Sequence, residues 1–483
     1  MLQWGALVAA TPVVATVADT SRAYGLTRSV AQNPALPINL ELVTLTETSA
    51  VITWFTGDPT RPDRFGRLAP MPADTEVLLG TSRGSLKTIH HDTRPSPYHY
   101  VEIRGLEPGQ SYVCVAQSNG VAALPSAANL GNPVGTSALR GANTSLVFST
   151  PQPPPGRHLF TVALCNDLHL GEKTAGLLTT QAGIGLPPGI EQVPGKRPYP
   201  EIMAAALAKE TRERGADLLL AAGDISSEAA QVDVRNAKHF LDQFGQYRSD
   251  YFVARGNHDR PHAGDTTKGC SPYPHSATLH DCFHDTFDPG APAWFTAEKF
   301  GMRIVGIDTY DTTGSGRDSS LSNAQMTFLG RELFRDKDRP TLVFGHHPVV
   351  LDATTNALPP VAYGMKPAQA RQLTAWYKHT PGVFLHHAGH THRNKRAVSL
   401  AAPGVVFQEV SATKEYPGGF TLVRIHEGGY AMNFYKFRDL AAQEWSERSR
   451  PEYLGAAPSY TLGNAADRNA VVHRDFSGLQ RAK

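Results

Sequence analysis

The sequence predicts an α/β domain preceded by an all-β sandwich, and three observations carry that prediction. Up to about residue 150 the apolar runs are short, rich in Val, Ile, Thr and Tyr, and separated by turn residues. A proline-rich segment, Pro151-Gln152-Pro153-Pro154-Pro155-Gly156, then interrupts the pattern. Beyond it, short apolar runs alternate with helical patterns, as strands joined by helices do.

The chain of 483 residues exceeds one ordinary domain. Its 46 basic and 44 acidic residues give a formal charge of +2, so no nucleic-acid-binding surface or anionic membrane partner is expected. Residues 1–35 are expected to be an export signal and a disordered leader. Trp4 to Ala18 is an uncharged apolar run, too short to span a bilayer. It has the length of a signal-peptide core and ends in the small residues Thr16-Val17-Ala18. No Lys or Arg precedes it. The expectation is therefore a start set too late, with Met1-Leu2-Gln3-Trp4 resembling the stretch that follows the arginine pair of a twin-arginine signal. The expected location is extracellular, periplasmic or cell-wall associated. No other segment reads as transmembrane.

Residues 36–150 form the all-β unit. Its strand-like runs are Asn39–Phe55, Thr75–Gly80, Tyr98–Arg104, Ser111–Gln117 and Ser145–Ser149. Trp54 reads as a sandwich-core residue. Leu106-Glu107-Pro108-Gly109-Gln110-Ser111-Tyr112 looks like a tyrosine corner, so the unit resembles a fibronectin type III-like sandwich. Residues 151–157 are expected to be a stiff, extended linker. Residues 158–440 form the α/β domain, with strands Leu159–Cys165, Asp217–Ala222, Tyr251–Ala254, Arg303–Ile307, Thr341–Phe344 and Val383–His387. Pro200 opens a helix that Gly215 closes, and Ser322-Asn323-Ala324-Gln325 reads as a capping box. Residues 441–483 read as a polar C-terminal extension of irregular structure. Cys114 and Cys165 read as buried thiols. Cys270 and Cys282 bracket one polar loop and are expected to be bonded if the protein is exported.

What ends each apolar run carries the chemistry. The runs lead into Asn166-Asp167-Leu168-His169, Gly223-Asp224, Arg255-Gly256-Asn257-His258-Asp259, Gly345-His346-His347-Pro348 and Gly389-His390-Thr391-His392. In an α/β sheet the loops after the carboxyl ends of strands line the ligand crevice. Two carboxylates, one amide oxygen and four imidazoles without thiolate suit Mn, Fe or Zn, and seven donors are too many for one ion. Two divalent ions sharing a carboxylate fit that number, and such a pair can clamp a phosphoryl group. The glycines precede ligands at sharp strand-end turns, where a side chain would crowd the site.

Asp-x-His, Gly-Asp, Gly-Asn-His-Asp, Gly-His-His-Pro and Gly-His-Thr-His, in that order, resemble the signature of calcineurin-like metallophosphoesterases. The resemblance implies a four-layer αββα sandwich that hydrolyses phosphate mono- or diesters. It implies that Asp167, His169 and His392 hold one metal, that Asn257, His346 and His390 hold the second, and that Asp224 bridges them. A metal-bridging hydroxide would attack, His258 would protonate the leaving group, and Asp259 would orient His258. His346 is preferred over His347 because it directly follows the glycine. A sandwich before such a domain also resembles purple acid phosphatases, but with departures. Those carry Asp-x-Gly where this chain has Asp167-Leu168-His169, and a metal-binding tyrosine where this chain has Ser227, so no tyrosinate–iron colour is expected.

Each motif alone has a bland reading. A single Gly-Asp is usually a turn, and a single His is usually a satisfied polar group; the complete ordered set is what excludes coincidence. His386 and His387 read as core groups. Arg260 and Arg393 read equally as phosphate contacts or as structural arginines. The competing class is a non-catalytic phosphoryl-ligand-binding or cell-surface protein on a phosphoesterase scaffold. The presence of every ligand position and of His258 argues against it.

Overall fold

The computed structural model describes residues 35–63, 67–125, 144–176, 189–260, 270, 281–311, 319–350, 364–452 and 458–482. The expected export segment therefore lies outside the described residues, apart from Ala35. Among the described residues no helix is long and apolar enough to cross a membrane.

The N-terminal region is all β, in two sheets. Leu36–Leu45, Ser49–Pro62, Leu68–Pro70 and Tyr98–Arg104 form one; Ala73–Gly80, Lys87–Ser96, Ser111–Ser118, Val121–Ala122 and Ser145–Ser149 form the other. The run read as Asn39–Phe55 is thus two antiparallel strands, because Thr46 and Ser49 close a turn through their hydroxyls. Alternating residues, among them Ile52, Trp54, Val101, Ile103, Cys114 and Ala116, point between the sheets and make a separate apolar core. Trp54 is buried there and donates from Nε1 to Ser118 Oγ. The tyrosine corner is present: the Tyr112 hydroxyl accepts from the Glu107 backbone N–H at 2.9 Å.

The proline-rich segment is irregular but anchored. The Pro155 carbonyl accepts from Gly428 N–H, and Arg157 pairs with Glu427. After it come two six-stranded sheets. In the first, His158–Cys165, Leu218–Ala222 and Tyr251–Ala254 run parallel, and Gly419–His426, Gly429–Lys436 and Asn469–His473 extend it antiparallel. In the second, Met302–Gly306, Thr341–Phe344, Val383–Ala388 and Ala402–Glu409 are parallel, flanked by Phe295–Lys299 and Lys395–Ser399.

The side-chain alternation explains the layering. Leu342 and Phe344 join the core shared with the first sheet, whereas Val343 joins the core under helices Asn323–Arg335 and Pro367–Lys378. Strands buried on both faces need continuous apolar runs, and the sequence supplies them. Helices Tyr199–Glu213 and Gln231–Leu241 cover the outer face of the first sheet. The order of layers is helix, sheet, sheet, helix.

Two local expectations are corrected. Ser322 does cap its helix by accepting from Gln325 N–H, but the Gln325 side chain bonds the Asp308 backbone instead of returning to Ser322, so the box is half made. The C-terminal extension is not irregular. Leu440–Ser449 is a helix, and Asn469–His473 is an edge strand of the first sheet. Its polar look follows from position, since an edge strand and a surface helix each bury only part of their side chains.

The sandwich docks through a buried ionic cluster. Glu41 lies against Arg450, Lys436 and the Tyr416 hydroxyl, which donates to it at 2.6 Å. Thr44 donates to the Phe434 carbonyl, and Arg468 reaches the Leu42 and Val43 carbonyls. Burial would raise the Glu41 carboxyl, but the two cations and the tyrosine override it and hold it down at about 2. A carboxyl that titrates lower in the folded state than in the unfolded chain stabilises the fold fully above its unfolded value of 4.5, and this is lost as pH falls toward 2. Glu41→Gln should cost about 3 kcal/mol at pH 7, because it removes the closest anion from buried cations. In urea unfolding the gap between wild type and Glu41→Gln should close between pH 4.5 and 2; a gap that persists at pH 2 would contradict this account.

Candidate metal and catalytic site

The parallel registers align the strand ends. Cys165 pairs with Ala221, and Ala222 with Ala254, so the segments that follow leave the first sheet side by side. Phe344 pairs with His387, which does the same for the second sheet. The chain continues to pair beyond the strands. Asp167 N–H donates to the Gly223 carbonyl, His169 N–H to Asp224, and Gly389 N–H to His346. Five of the seven candidate ligands, Asp167, His169, Asp224, His390 and His392, have left-handed backbones with φ between 46° and 68°. Such a conformation costs a non-glycine residue about 1 kcal/mol or more, so surrounding structure must impose it.

The turns need glycine for space. A Cβ on Gly256 would fall 2.1 Å from Asp224 Oδ1, and one on Gly389 would fall 2.7 Å from Asp167 Oδ2. Backbone N–H groups then fix the two carboxylates: His258 N–H donates to Asp224 Oδ1 at 2.8 Å, and His390 N–H to Asp167 Oδ2 at 3.0 Å.

All seven predicted ligands are described, and six fall in groups whose donor atoms lie within 4.8 Å of one another. These groups are Asp167, His169 and His392; Asp224, His346 and His390; and His169, Asp224 and His258. The seventh, Asn257, sits in the same turn as Gly256, and its Oδ1 is buried without a hydrogen-bond partner. Asp167 Oδ1 and His169 Nε2 are likewise buried and unpartnered. Buried polar atoms are ordinarily paired, so three such atoms without hydrogen-bond partners, two of them (Asp167 Oδ1 and His169 Nε2) 3.6 Å apart, fit divalent cations. Asp167, His169, Asp224 and His346 are at most 3% exposed, while Asn257, His258, His390 and His392 reach the surface and form the mouth.

Charge follows this arrangement. Burial would raise Asp167, but His392 and His169 hold its carboxyl well below the usual range. Burial would lower His346 and His392, yet the carboxylates beside them, Asp224 for one and Asp167 and Glu415 for the other, lift them to about 9 and about 10. The site draws positive charge.

His346, not His347, faces the carboxylates, with Nε2 2.9 Å from Asp224 Oδ2 and Nδ1 donating to the Ala222 carbonyl. His347 Nδ1 instead pairs with Thr309 Oγ1. His387 Nε2 lies 3.2 Å from the Cys165 carbonyl and His386 Nδ1 2.9 Å from the Tyr377 hydroxyl, both inside the core. Arg393 is locked in a bidentate pair with buried Glu409, and Arg260 donates to the Tyr310 carbonyl. Cys270 and Cys282 are bonded; Asp281, next to Cys282, pairs with Arg255 immediately before Gly256.

The role expected of Asp259 is corrected. His258 is oriented by the Ser227 carbonyl, to which its Nδ1–H donates at 2.7 Å. Asp259 is buried and accepts from Ile225, Ser226 and Gly256 N–H, tying the Gly-Asp turn to the Gly-Asn-His turn. Sequence reasoning also missed Glu172, Lys414 and Glu415. Glu172 Oε2 lies 2.8 Å from His169 Nδ1, and Glu415 Oε1 lies 2.5 Å from His392 Nδ1. The available signal for Glu172 was its place three residues after His169. For Lys414 and Glu415 it was a charged pair between two apolar strands. Gly256→Ala should destabilise the fold by about 1–3 kcal/mol and weaken metal uptake, since the added methyl must displace Asp224. Chemical denaturation together with metal analysis checks this, and wild-type values of both would contradict it.

Residues 160–394 match the family model described as calcineurin-like phosphoesterase. A probable cyclic nucleotide phosphodiesterase of Synechococcus sp. is 27% identical over 190 residues, which cover 39% of this chain and 63% of that protein. The match therefore spans less than two thirds of that curated relative. A purple acid phosphatase from yellow lupin (Lupinus luteus) seeds is 14% identical with a TM-score of 0.39, covering 86% of this chain and 76% of its own. A dimetal phosphatase from Danio rerio is 14% identical with a TM-score of 0.41, covering 58% of this chain and 96% of its own. Residues 160–394, just under half of this chain, are thus what matches the calcineurin-like phosphoesterase family.

Proposed function

We propose that the protein hydrolyses phosphate esters with two divalent metal ions. The observation that carries this reading is the convergence of six oxygen and nitrogen donors from both sheets, with the unpaired Asn257 Oδ1 in the adjoining Gly256 turn. Asp167, His169 and His392 would hold one ion, and Asn257, His346 and His390 the other, with Asp224 between. When bound, the ions would supply Lewis acidity to the phosphoryl group and to the water that attacks it.

The chain's own groups do the rest. Backbone N–H donors from His258 and His390 orient Asp224 and Asp167, so neither carboxylate rotates away from the mouth. His258 stands at that mouth with Nδ1–H committed to the Ser227 carbonyl, which leaves Nε2 as the nitrogen for proton transfer to a leaving oxygen. Asp259 fixes the turn that carries it. The family and the cyanobacterial relative support a phosphate diester or monoester as substrate. The Cys270–Cys282 bond supports an exported location, because disulfides persist in oxidising compartments.

The test is hydrolysis of bis(p-nitrophenyl) phosphate and p-nitrophenyl phosphate by protein stripped of metal and reloaded with Mn²⁺, Fe²⁺ or Zn²⁺. Metal-restored turnover is expected, and Asp224→Asn should abolish it. No turnover with any ion would favour a binding role. His258→Ala should lower the rate by about 10²–10⁴ for a poor leaving group and less for a nitrophenolate. An equal loss on both would remove His258 as the acid.

A further inference from the structure

Behind the Gly256-Asn257-His258 turn, one guanidinium joins three parts of the molecule. Arg255 follows Tyr251–Ala254, an edge strand of the first sheet, and directly precedes that turn. It is 5% exposed. Its Nε donates to Asp308 Oδ2 at 3.0 Å and Nη2 meets the same oxygen, while Nη1 pairs with Asp281 Oδ2. Asp308 lies just beyond Met302–Gly306 of the second sheet. It is itself fixed: Oδ1 accepts from Tyr310 N–H at 3.0 Å, and its backbone exchanges two hydrogen bonds with the Gln325 side chain. Asp281 caps helix Cys282–Phe287 by accepting from His284 N–H. That helix is anchored by the buried rings of Phe283 and Phe287 and by the Cys270–Cys282 bond.

We propose that Arg255 is a positioning residue for His258, and that Asp281 and the Cys270–Cys282 bond hold it in that role. The inference rests on the reading of His258 as the acid in phosphoester hydrolysis. His258 is held at its N–H and at Nδ1 by Asp224 and Ser227, both from the loop after the neighbouring strand Leu218–Ala222. The Arg255 clamp ties the start of the same turn to the second sheet, whose strands lead into His346, His390 and His392. The distance between the acid and those donors then depends on the clamp. A misplacement of about 1 Å can cost about 10²-fold in rate. A planar guanidinium suits this task because its fork holds two carboxylates in fixed directions, which an ammonium point charge does not. Asp281 fixes one arm of the fork, and the disulfide keeps Asp281 in place by tying down the residue next to it.

The experiment compares two diesters on the full chain at saturating Mn²⁺: diphenyl phosphate, with a poor leaving group, and bis(p-nitrophenyl) phosphate, with a good one. Asp281→Asn retains a side chain that caps a helix and removes the charge that holds Nη1. It should lower the rate on diphenyl phosphate by about 10-fold and on the nitrophenyl ester by less. Arg255→Lys should give the same pattern with a loss of about 10²-fold. Cys270→Ser combined with Cys282→Ser should reproduce the Asp281→Asn pattern. Bound Mn²⁺ per chain should stay at the wild-type value in all three. A merely structural role would lower both esters alike. An equal loss on both esters, or wild-type rates on both, in Asp281→Asn would overturn the inference while His258→Ala keeps its own leaving-group dependence. Loss of that dependence in His258→Ala would overturn the acid reading, and the inference with it. If Arg255→Lys or the serine variant fails to fold, Asp281→Asn, at the more exposed position, decides the question.

Discussion

Two carboxylates, Asp167 and Asp224, are buried almost completely and held ionised at the junction of two sheets, and most of the molecule serves that constraint. An isolated buried carboxylate is so costly that it protonates or finds cations. Here a backbone N–H holds one oxygen of each, and the carboxylates draw His346 and His392 toward their charged forms. A divalent ion satisfies such a place better than protons do, because it neutralises the carboxylates and also partners the orphaned oxygen of Asn257 and nitrogen of His169. The left-handed backbones at five ligands are the conformational cost of turning the side chains inward. The parallel registers and the glycines at close approaches are what allow it.

Much of this was legible in the sequence, for a physical reason. Strands buried on both faces must be continuous apolar runs, so Leu218–Ala222, Tyr251–Ala254 and Thr341–Phe344 could be read almost to the residue. A ligand at the end of each such run falls on one edge. That logic pointed to one edge, where six of the seven expected donors come together. What could not be read were partners set by tertiary contact. Asp259 follows His258 in sequence, yet its side chain turns back to the backbone of 225, 226 and 256. Gln325 has the spacing to close a capping box, but Asp308, from another element, takes its side chain. Glu172 and Glu415 are 243 positions apart and meet only through Lys414 and the two histidines they support. The C-terminal strand was missed because an edge strand that pairs on one side carries only a weak apolar pattern.

The sandwich is joined to this arrangement rather than tethered to it. Its first strand lies against the Gly429–Lys436 strand of the first sheet, Val43 and Val51 enter the large apolar core, and Glu41 is enclosed by cations from the other side. Helix Leu440–Ser449 mediates between the two regions: its Trp445 stacks on Tyr199 and bonds the Lys414 carbonyl, while the arginine just after the helix, Arg450, meets Glu41. The docking surface and the shell behind the metal site therefore share one helix.

The most direct test of the central claim is anomalous diffraction from crystals of the full chain grown or soaked with Mn²⁺. The account predicts two peaks on either side of Asp224, one in contact with Asp167, His169 and His392 and the other with Asn257, His346 and His390. A single peak, or peaks away from these residues, would contradict it.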